Sequence, residues 1–278
     1  MHHTRTIPWV LLAALPLTAL AACSSDDTEG AQPATTASTA AEVDSLPAGA
    51  KDLVGRFAHF DAVSYEDETM KTVIISTGFA DLELRDGELW NQMTFCHADT
   101  VTDQNIEVSI ADAATQAIIP IATPVEVTEQ DGTLRIVRPA TPTPIGIKMD
   151  DPENETLPTD PDDPRIFDAD GDGNPGVTST VKVSDDLQGE IYLARREIFA
   201  YDVVQDSTDR LVGTISDGSE QLIIGASNPM FLAAGQWEQI DDPERNPVIW
   251  QRVDDDLDCD GLAAQRDDLF PPNPQADW

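Results

Sequence analysis

The chain has 278 residues and a formal net charge of −36, because 52 acidic residues outnumber 16 basic ones. Such a charge excludes binding of nucleic acid or anionic lipid through the protein surface, since both partners are themselves negatively charged. The sequence also contains no phosphate-binding glycine loop, no G-x-S-x-G nucleophile motif and no H-E-x-x-H zinc motif.

The first 22 residues are predicted to be an export signal. Residues 10–22 are apolar but shorter than the ~20 residues that span a bilayer. They end in Leu20-Ala21-Ala22-Cys23, which resembles the lipobox of bacterial lipoproteins. The resemblance implies cleavage before Cys23, acylation of that cysteine and a lipid anchor in the cell envelope. The residue after the cysteine is Ser24 and not an aspartate. By resemblance to Gram-negative lipoproteins, this favours sorting to the outer membrane.

Residues 23–50 are rich in Ala, Thr, Ser and Asp and are predicted to form a disordered tether. Residues 51–278 are predicted to form a single β domain. A stretch rich in Pro and Asp, residues 141–165, is interpreted as a surface loop because proline interrupts regular ladders. A domain boundary within this stretch is the alternative.

Alternating and β-branched segments predict about ten strands, and the dipeptides Asp86-Gly87, Asp131-Gly132 and Asp217-Gly218 predict hairpins between them. Only residues 229–237 and 262–270 are predicted to form short helices. The expected fold is all-β, an antiparallel up-and-down barrel or a β-sandwich. Gly55-Arg56-Phe57 faintly resembles the G-x-W opening of lipocalin-like barrels.

An acidic turn near the middle of the chain predicts a calcium site. Asp168, Asp170 and Asp172 alternate along the chain, Asn174 continues the spacing, and Gly173 provides a sharp turn. The turn resembles the first half of an EF-hand loop, but it has no bidentate glutamate in the twelfth position, so it is closer to the short calcium turns of thrombospondin type 3 repeats. Further ligands are expected from backbone carbonyls or from a preceding group of aspartates: Asp160, Asp162 and Asp163. A solvated acidic turn is the alternative.

The chain is similar to a group of uncharacterised predicted lipoproteins from myxobacteria and their relatives. The similarity lies in this turn and in the later segment Gly189-Glu190-Ile191-Tyr192-Leu193-Ala194-Arg195-Arg196. The similarity covers roughly residues 162–250. It implies a location and a fold, and it implies no activity and no catalytic residues.

A second acidic run, near the C-terminus, is a weaker metal candidate. Asp256, Asp258 and Asp260 alternate before a glycine, and Asp267 falls in the twelfth position. The alternative is a solvated acidic tail.

Two cysteines remain after Cys23 is assigned to the lipid. An exported domain with two cysteines most simply pairs them, so Cys96 and Cys259 are predicted to form a disulfide that fastens the C-terminal tail to the strand at residues 89–95. Two buried free thiols are the alternative.

The sequence indicates few catalytic groups. His59 and His97 are interpreted as structural. One of the adjacent Arg195 and Arg196 must face the interior of a sheet, where it either pairs with a buried carboxylate or binds a ligand's carboxylate or phosphate. The expected function is a lipid-anchored, calcium-stabilised β domain that binds a small molecule or a protein partner. The alternative is a glycosidase-like envelope hydrolase that uses paired acidic residues.

Overall fold

The computed structural model describes residues 46–233 and 237–278. The predicted signal, Cys23 and most of the tether lie outside the described residues. The folded part begins before residue 51. Leu46 packs against the interior of the domain, and Ala50, at the start of a 3-10 helix over Ala50–Leu53, is fully buried. Residues 46–50 therefore belong with the domain, although their composition had placed them in the tether.

Thirteen antiparallel strands and two α-helices make up the described chain, which confirms the all-β prediction. The strands are β1 Gly55–Glu66, β2 Lys71–Arg85, β3 Glu88–Thr102, β4 Glu107–Ile110, β5 Thr123–Pro124, β6 Glu126–Gln130, β7 Thr133–Ile145, β8 Val177–Ser184, β9 Leu187–Ser207, β10 Arg210–Asp217, β11 Glu220–Ala226, β12 Glu238–Gln239 and β13 Pro247–Arg252. The helices are α1 Asp112–Gln116 and α2 Cys259–Leu269, and shorter 3-10 helices cover Pro229–Ala233 and Pro243–Arg245.

Eight of the strands form a closed ring in the order β10-β13-β1-β2-β3-β4-β8-β9, and β9 pairs with β10 to complete it. Of the two predicted architectures, the barrel is therefore the one observed. The ring is not a simple up-and-down meander, because β13 lies between β1 and β10 although it is the last strand of the chain.

Two of the three predicted hairpins are confirmed. Asp86-Gly87 joins β2 to β3 and Asp131-Gly132 joins β6 to β7, and all four residues have positive φ, as a type I′ turn requires. The third is wrong. β10 and β11 flank Asp217-Gly218 but do not pair with each other; both pair with β9, β10 along residues 199–207 and β11 along residues 191–196. They run one after the other along a single edge of β9.

The loop predicted over residues 141–165 is also partly wrong, because β7 continues to Ile145. Pro142 pairs with Ile198, and Pro144 pairs with Arg196. A ladder tolerates proline where the missing N–H would point away from the partner strand. The two prolines are two residues apart, so their nitrogens share one direction along the strand. The irregular chain is confined to residues 146–176.

Successive side chains of β1 point alternately into the barrel and out from its wall, so the strand contributes to two hydrophobic cores. Phe57, Val63 and Tyr65 pack inside the barrel, where the indole of Trp250 is fully buried. Ala58, Phe60 and Ala62 face outward and are covered by the C-terminal segment. The barrel thus has a packed interior and a second core on its outer wall.

Helix α2 and the residues after it form that outer cover. The ring of Phe270 lies 5.5 Å from the ring of Phe60, and Leu262 is buried on the same wall. The predicted disulfide is confirmed, since Cys96 on β3 is bonded to Cys259 at the first turn of α2 across 163 residues of chain. The helix predicted over 262–270 is present but begins at Cys259. Of the one predicted over 229–237, Pro229–Ala233 form a 3-10 helix, and residues 234–236 lie outside the described residues.

Candidate functional site

The acidic turn lies in the 146–176 loop, whose two ends are held together by glycines. The Phe167 amide donates to the Gly146 carbonyl at 3.0 Å, and the Gly176 amide donates to the Phe167 carbonyl at 3.0 Å. Gly176 has a φ of 83°, and a Cβ there would lie 2.2 Å from the carbonyl oxygen of Leu193. Only glycine can bring the loop this close to β9.

The turn itself brings three carboxylates together. One oxygen from each of Asp168, Asp170 and Asp172 lies within 4.8 Å of the others. Backbone amides hold the first two: Asp168 accepts from Gly171 at 2.7 Å, and Asp170 accepts from Thr178 at 2.9 Å. The cluster could hold a metal ion.

The cluster concentrates negative charge around a partly buried carboxylate. Oδ1 of Asp170 is buried and has no hydrogen-bond partner among the described residues. Burial, together with the nearby charge of Asp172, raises the pKa of Asp170. The nearby hydroxyl of Thr178 and the hydrogen bonds from Asn174 lower the pKa of Asp172, so that carboxylate is favoured in its charged form. All three carboxylates supply oxygen, the donor preferred by hard divalent cations.

Among the described residues, the preceding aspartates that were predicted as further ligands do not belong to the cluster. The Asp163 carboxylate pairs with Arg165 at 3.0 Å, and Asp160 accepts from the amide of Asp162. Asn174 does lie beside the cluster, where its Nδ2 donates to Oδ2 of Asp172 at 3.2 Å.

The second predicted metal site has a different role in the structure. Asp258 is the N-cap of α2 and accepts from the amide of Gly261 at 2.8 Å. Asp260 lies in the first turn of that helix, while Asp267, near its far end, is almost fully exposed and contacts Arg266. Within residues 46–233 and 237–278, Asp256 and these aspartates do not form a group of converging ligands. The spacing of aspartates that suggested a metal-binding loop instead belongs to the N-cap and first turn of α2.

The two adjacent arginines of β9 take opposite sides of the sheet. Arg196 points outward, where it donates to the carbonyl of Pro152 at 3.0 Å and pairs with Glu220 at 3.0 Å. Arg195 points into the barrel. Its Nε lies 2.7 Å from Oε1 of Glu197, and its Nη1 donates to Gln221 at 3.0 Å.

The Arg195–Glu197 pair is buried, and its charges support each other. Burial alone would lower the pKa of Arg195, but the carboxylate of Glu197 outweighs burial and the pKa is raised. Glu197 also accepts from the hydroxyl of Ser219 at 2.9 Å. The interior arginine therefore has an internal counter-ion.

Three cavities meet at Arg195, and Ile74 also lines all three. The mouth cavity is about 290 Å³ and opens beside the 3-10 helix Pro229–Ala233. The side cavity, about 480 Å³, lies along β11, and the deep cavity, about 60 Å³, reaches inward to Asp61. The wall of the mouth cavity is mainly aliphatic: Ile74, Ile106, Val108, Ile110, Val181, Val183, Ile191 and Leu193.

Two aromatic rings line the side cavity, and one of them, Trp237, also lines the mouth cavity. The rings of Tyr65 and Trp237 are 6.0 Å apart and tilted by 39°. The Tyr65 hydroxyl donates a short hydrogen bond to Asp217, and burial together with this carboxylate raises the pKa of Tyr65 well above its usual range. Trp237 and Asp67 both line the mouth cavity, and Asp67 accepts from the amides of Thr69 and Met70.

The two histidines have different environments. His59 is fully buried, with Nε2 2.7 Å from Oδ2 of Asp61, which also accepts from the hydroxyl of Tyr201 at 3.3 Å. His97 is half-exposed on the outer wall and contacts Asp112 at 2.7 Å and Asp99 at 3.1 Å.

Comparison with known proteins gives no match: no family model, no curated protein and no solved structure is similar enough to place the chain in a family. Among the described residues, no helix is both long and apolar enough to cross a membrane.

Several cavity residues were missed by sequence reasoning. Glu197 lies two positions after Arg195, and the period-2 alternation that placed one arginine inside also places Glu197 there. Asp217 and Trp237 had no such signal, because they reach the cavity through strand pairings distant in sequence.

Proposed function

We propose that the protein is a lipid-anchored lipoprotein of the cell envelope, located in the outer membrane, whose calcium-stabilised barrel binds a small, largely apolar molecule. The observation that carries the binding proposal is the mouth cavity, which has aliphatic walls and ends at the buried Arg195–Glu197 pair. Ligand sites are typically concave and mostly apolar, with a few convergent polar groups.

The anchor proposal rests on the lipobox-like Leu20-Ala21-Ala22-Cys23. In cells fed a labelled fatty acid, Cys23→Ser is expected to abolish labelling of the protein. The neighbouring Ser24→Ala is the matched control and is expected to stay labelled. Labelling of the Cys23→Ser protein would exclude this anchor.

Calcium is the proposed ion at Asp168, Asp170 and Asp172. The donors are all oxygen, and the buried Oδ1 of Asp170 is left for a cation to bind. Few carboxylates and an open turn suit the weak extracellular class of calcium sites, with Kd of roughly 10⁻⁴–10⁻³ M. The bound ion would neutralise the turn and stabilise the loop against β9.

Ligand binding is tested with a neutral apolar fluorophore, phenylnaphthylamine, whose emission rises in an apolar cavity. Val108 lines the mouth cavity, whereas its neighbour Ser109 on β4 is exposed. Val108→Trp is expected to abolish the fluorescence gain and Ser109→Trp to preserve it. Equal binding by the two variants, with both folded by circular dichroism, would exclude this cavity as the binding site.

A glycosidase-like hydrolase is the second candidate. Glu197 and Asp217 both accept from Ser219, one from its hydroxyl at 2.9 Å and one from its amide at 2.7 Å, beside the Tyr65–Trp237 rings. Both carboxylates already have internal partners, which favours binding over catalysis. The hydrolase would become the leading candidate if the wild type released the aryl group from aryl glycosides and Glu197→Gln did not.

A further inference from the structure

We infer that the ligand of this cavity is an organic cation, an amine or quaternary ammonium group carrying an apolar tail. The inference rests on the proposed ligand-binding function and adds the chemical class of the ligand. It follows from the balance of charges around the three cavities, from the two aromatic rings and from the apolar rim.

The charged side chains that line the three cavities are predominantly negative. Arg195 is the one basic side chain that lines any of the three cavities among the described residues, and Glu197 neutralises it. Asp217 lines the side cavity and Asp67 the mouth cavity, and neither takes part in an ion pair within residues 46–233 and 237–278. A ligand carboxylate near either residue would meet a negative charge that no ion pair neutralises, whereas a cation would be attracted to both.

The aromatic rings supply the second component of a cation site. Asp217 accepts from the hydroxyl of Tyr65, and Asp67 lines the mouth cavity together with Trp237, so each ring shares a cavity with one of these carboxylates. Cations bind the faces of such rings within ~6 Å of the centroid, and quaternary ammonium groups are often recognised in this way. Within the described chain, the arginine and lysine side chains that lie over aromatic rings use other rings.

The remainder of the cavity accommodates an apolar tail. Val181 and Leu193 face the mouth cavity, and Met230 at its opening is 70 % exposed. An apolar chain lying along this wall would remove both its own surface and that of the wall from water. The net charge of −36 adds a long-range attraction for cations that raises the rate of encounter.

The test compares three probes that share one tail: octyltrimethylammonium, octanoate and octanol. Calorimetric titrations use the full chain with Cys23→Ser, so that no acyl chain is attached to compete for the cavity. The cation is expected to bind at least about tenfold more tightly than either of the others. Asp217→Asn, which keeps an acceptor for Tyr65, and Trp237→Leu are each expected to weaken only the cation, by about tenfold, while Asp267→Asn on the exposed face of α2 changes nothing.

The outcomes separate this inference from the proposed function. If octanol or octanoate binds as tightly as the cation, the cavity binds ligands but the inference about charge is overturned. If Asp217→Asn, still folded by circular dichroism, binds the cation as the wild type does, the inference is also overturned. If none of the three probes binds, the proposed ligand-binding function fails, and the inference fails with it.

Discussion

The guanidinium Nε of Arg195 lies 2.7 Å from Oε1 of Glu197, two residues farther along β9, and both side chains face the barrel interior. Their side chains are 15 % and 5 % exposed, so water does little to screen either charge. A buried pair of this kind adds little net stability compared with an apolar pair, but removing one partner leaves the other charge buried and uncompensated.

Glu197→Gln is therefore expected to lower the free energy of unfolding by about 3–5 kcal/mol. The matched control is Glu83→Gln, because Glu83 pairs with Arg85 at 2.8 Å on the surface, where both side chains are about half exposed. That change is expected to cost less than about 1 kcal/mol. Urea titrations measure both, and similar losses in the two variants would contradict the account of the interior pair.

The alternation of side chains along β9 predicted only part of the arrangement of these arginines and their counter-ions. Alternation required one of Arg195 and Arg196 to face inward, and Glu197 follows from the same rule. The counter-ion of the outward arginine could not be predicted, because Glu220 reaches it through the pairing of β11 with β9.

The turn signals show the same limit. Asp86-Gly87 and Asp217-Gly218 are the same dipeptide between apolar runs, yet only the first closes a hairpin. Positive φ at Asp86 reverses the chain, whereas β10 and β11 continue along one edge of β9. Strand β9 is 21 residues long, so β10 and β11 can both pair with it and need not pair with each other. A local turn signal carries no information about that length.

The metal turn gives the second prediction. Burial and the charge of Asp172 raise the pKa of Asp170. Between the ordinary carboxyl pKa and the raised value, the metal-free folded protein binds more protons than the unfolded chain, so its stability falls as the pH rises through that window. Above the window, the ionised Asp170 destabilises the metal-free fold.

Asp170→Asn is thus expected to act in opposite directions with and without calcium. At neutral pH the variant should melt above the wild type in a chelator, yet it should lose the calcium-dependent gain, which reaches about 2.7 kcal/mol at a hundred times Kd. Asp160→Asn in the same loop is the control and should keep that gain. Thermal unfolding is measured with and without calcium for the wild type and for both variants. If Asp170→Asn kept the calcium-dependent gain in stability, this cluster would not be the calcium site.

The third prediction concerns His97 on the outer wall. Burial would lower its pKa, but the hydrogen bonds with Asp112 and Asp99 outweigh burial and raise it. A raised pKa in the folded state contributes stability that is fully present below the ordinary imidazole value, about 6.5, and is lost as the pH rises through the raised value. The side chain is 47 % exposed, so solvent screening keeps the effect small.

The melting temperature of the wild type is accordingly expected to fall between pH 6 and pH 9 by more than that of Asp112→Asn. The exposed Asp267→Asn should follow the wild type. Parallel pH dependences for the wild type and Asp112→Asn would show that the His97–Asp112 contact does not contribute to folding stability.

The last prediction concerns the disulfide between Cys96 and Cys259, which holds α2 against the outer wall. Because the bond joins residues 163 apart, the chain-entropy account gives it up to about 5 kcal/mol. The tail has its own contacts, including Phe270 on Phe60 and the hydrogen bond of Asn273 with Asp99 at 2.8 Å. We therefore expect the double variant Cys96→Ala/Cys259→Ala to fold with a loss below that limit.

Its tail should nevertheless open more often than that of the wild type, because the bond no longer limits the separation of α2 from β3. Limited proteolysis is expected to cut the double variant first within residues 253–278, leaving the barrel intact. Adding Phe270→Ala should speed that cleavage further, since the ring fills the outer core. Cleavage that begins instead in the 146–176 loop would show that the tail stays attached through its side-chain contacts and that the disulfide is not its main attachment.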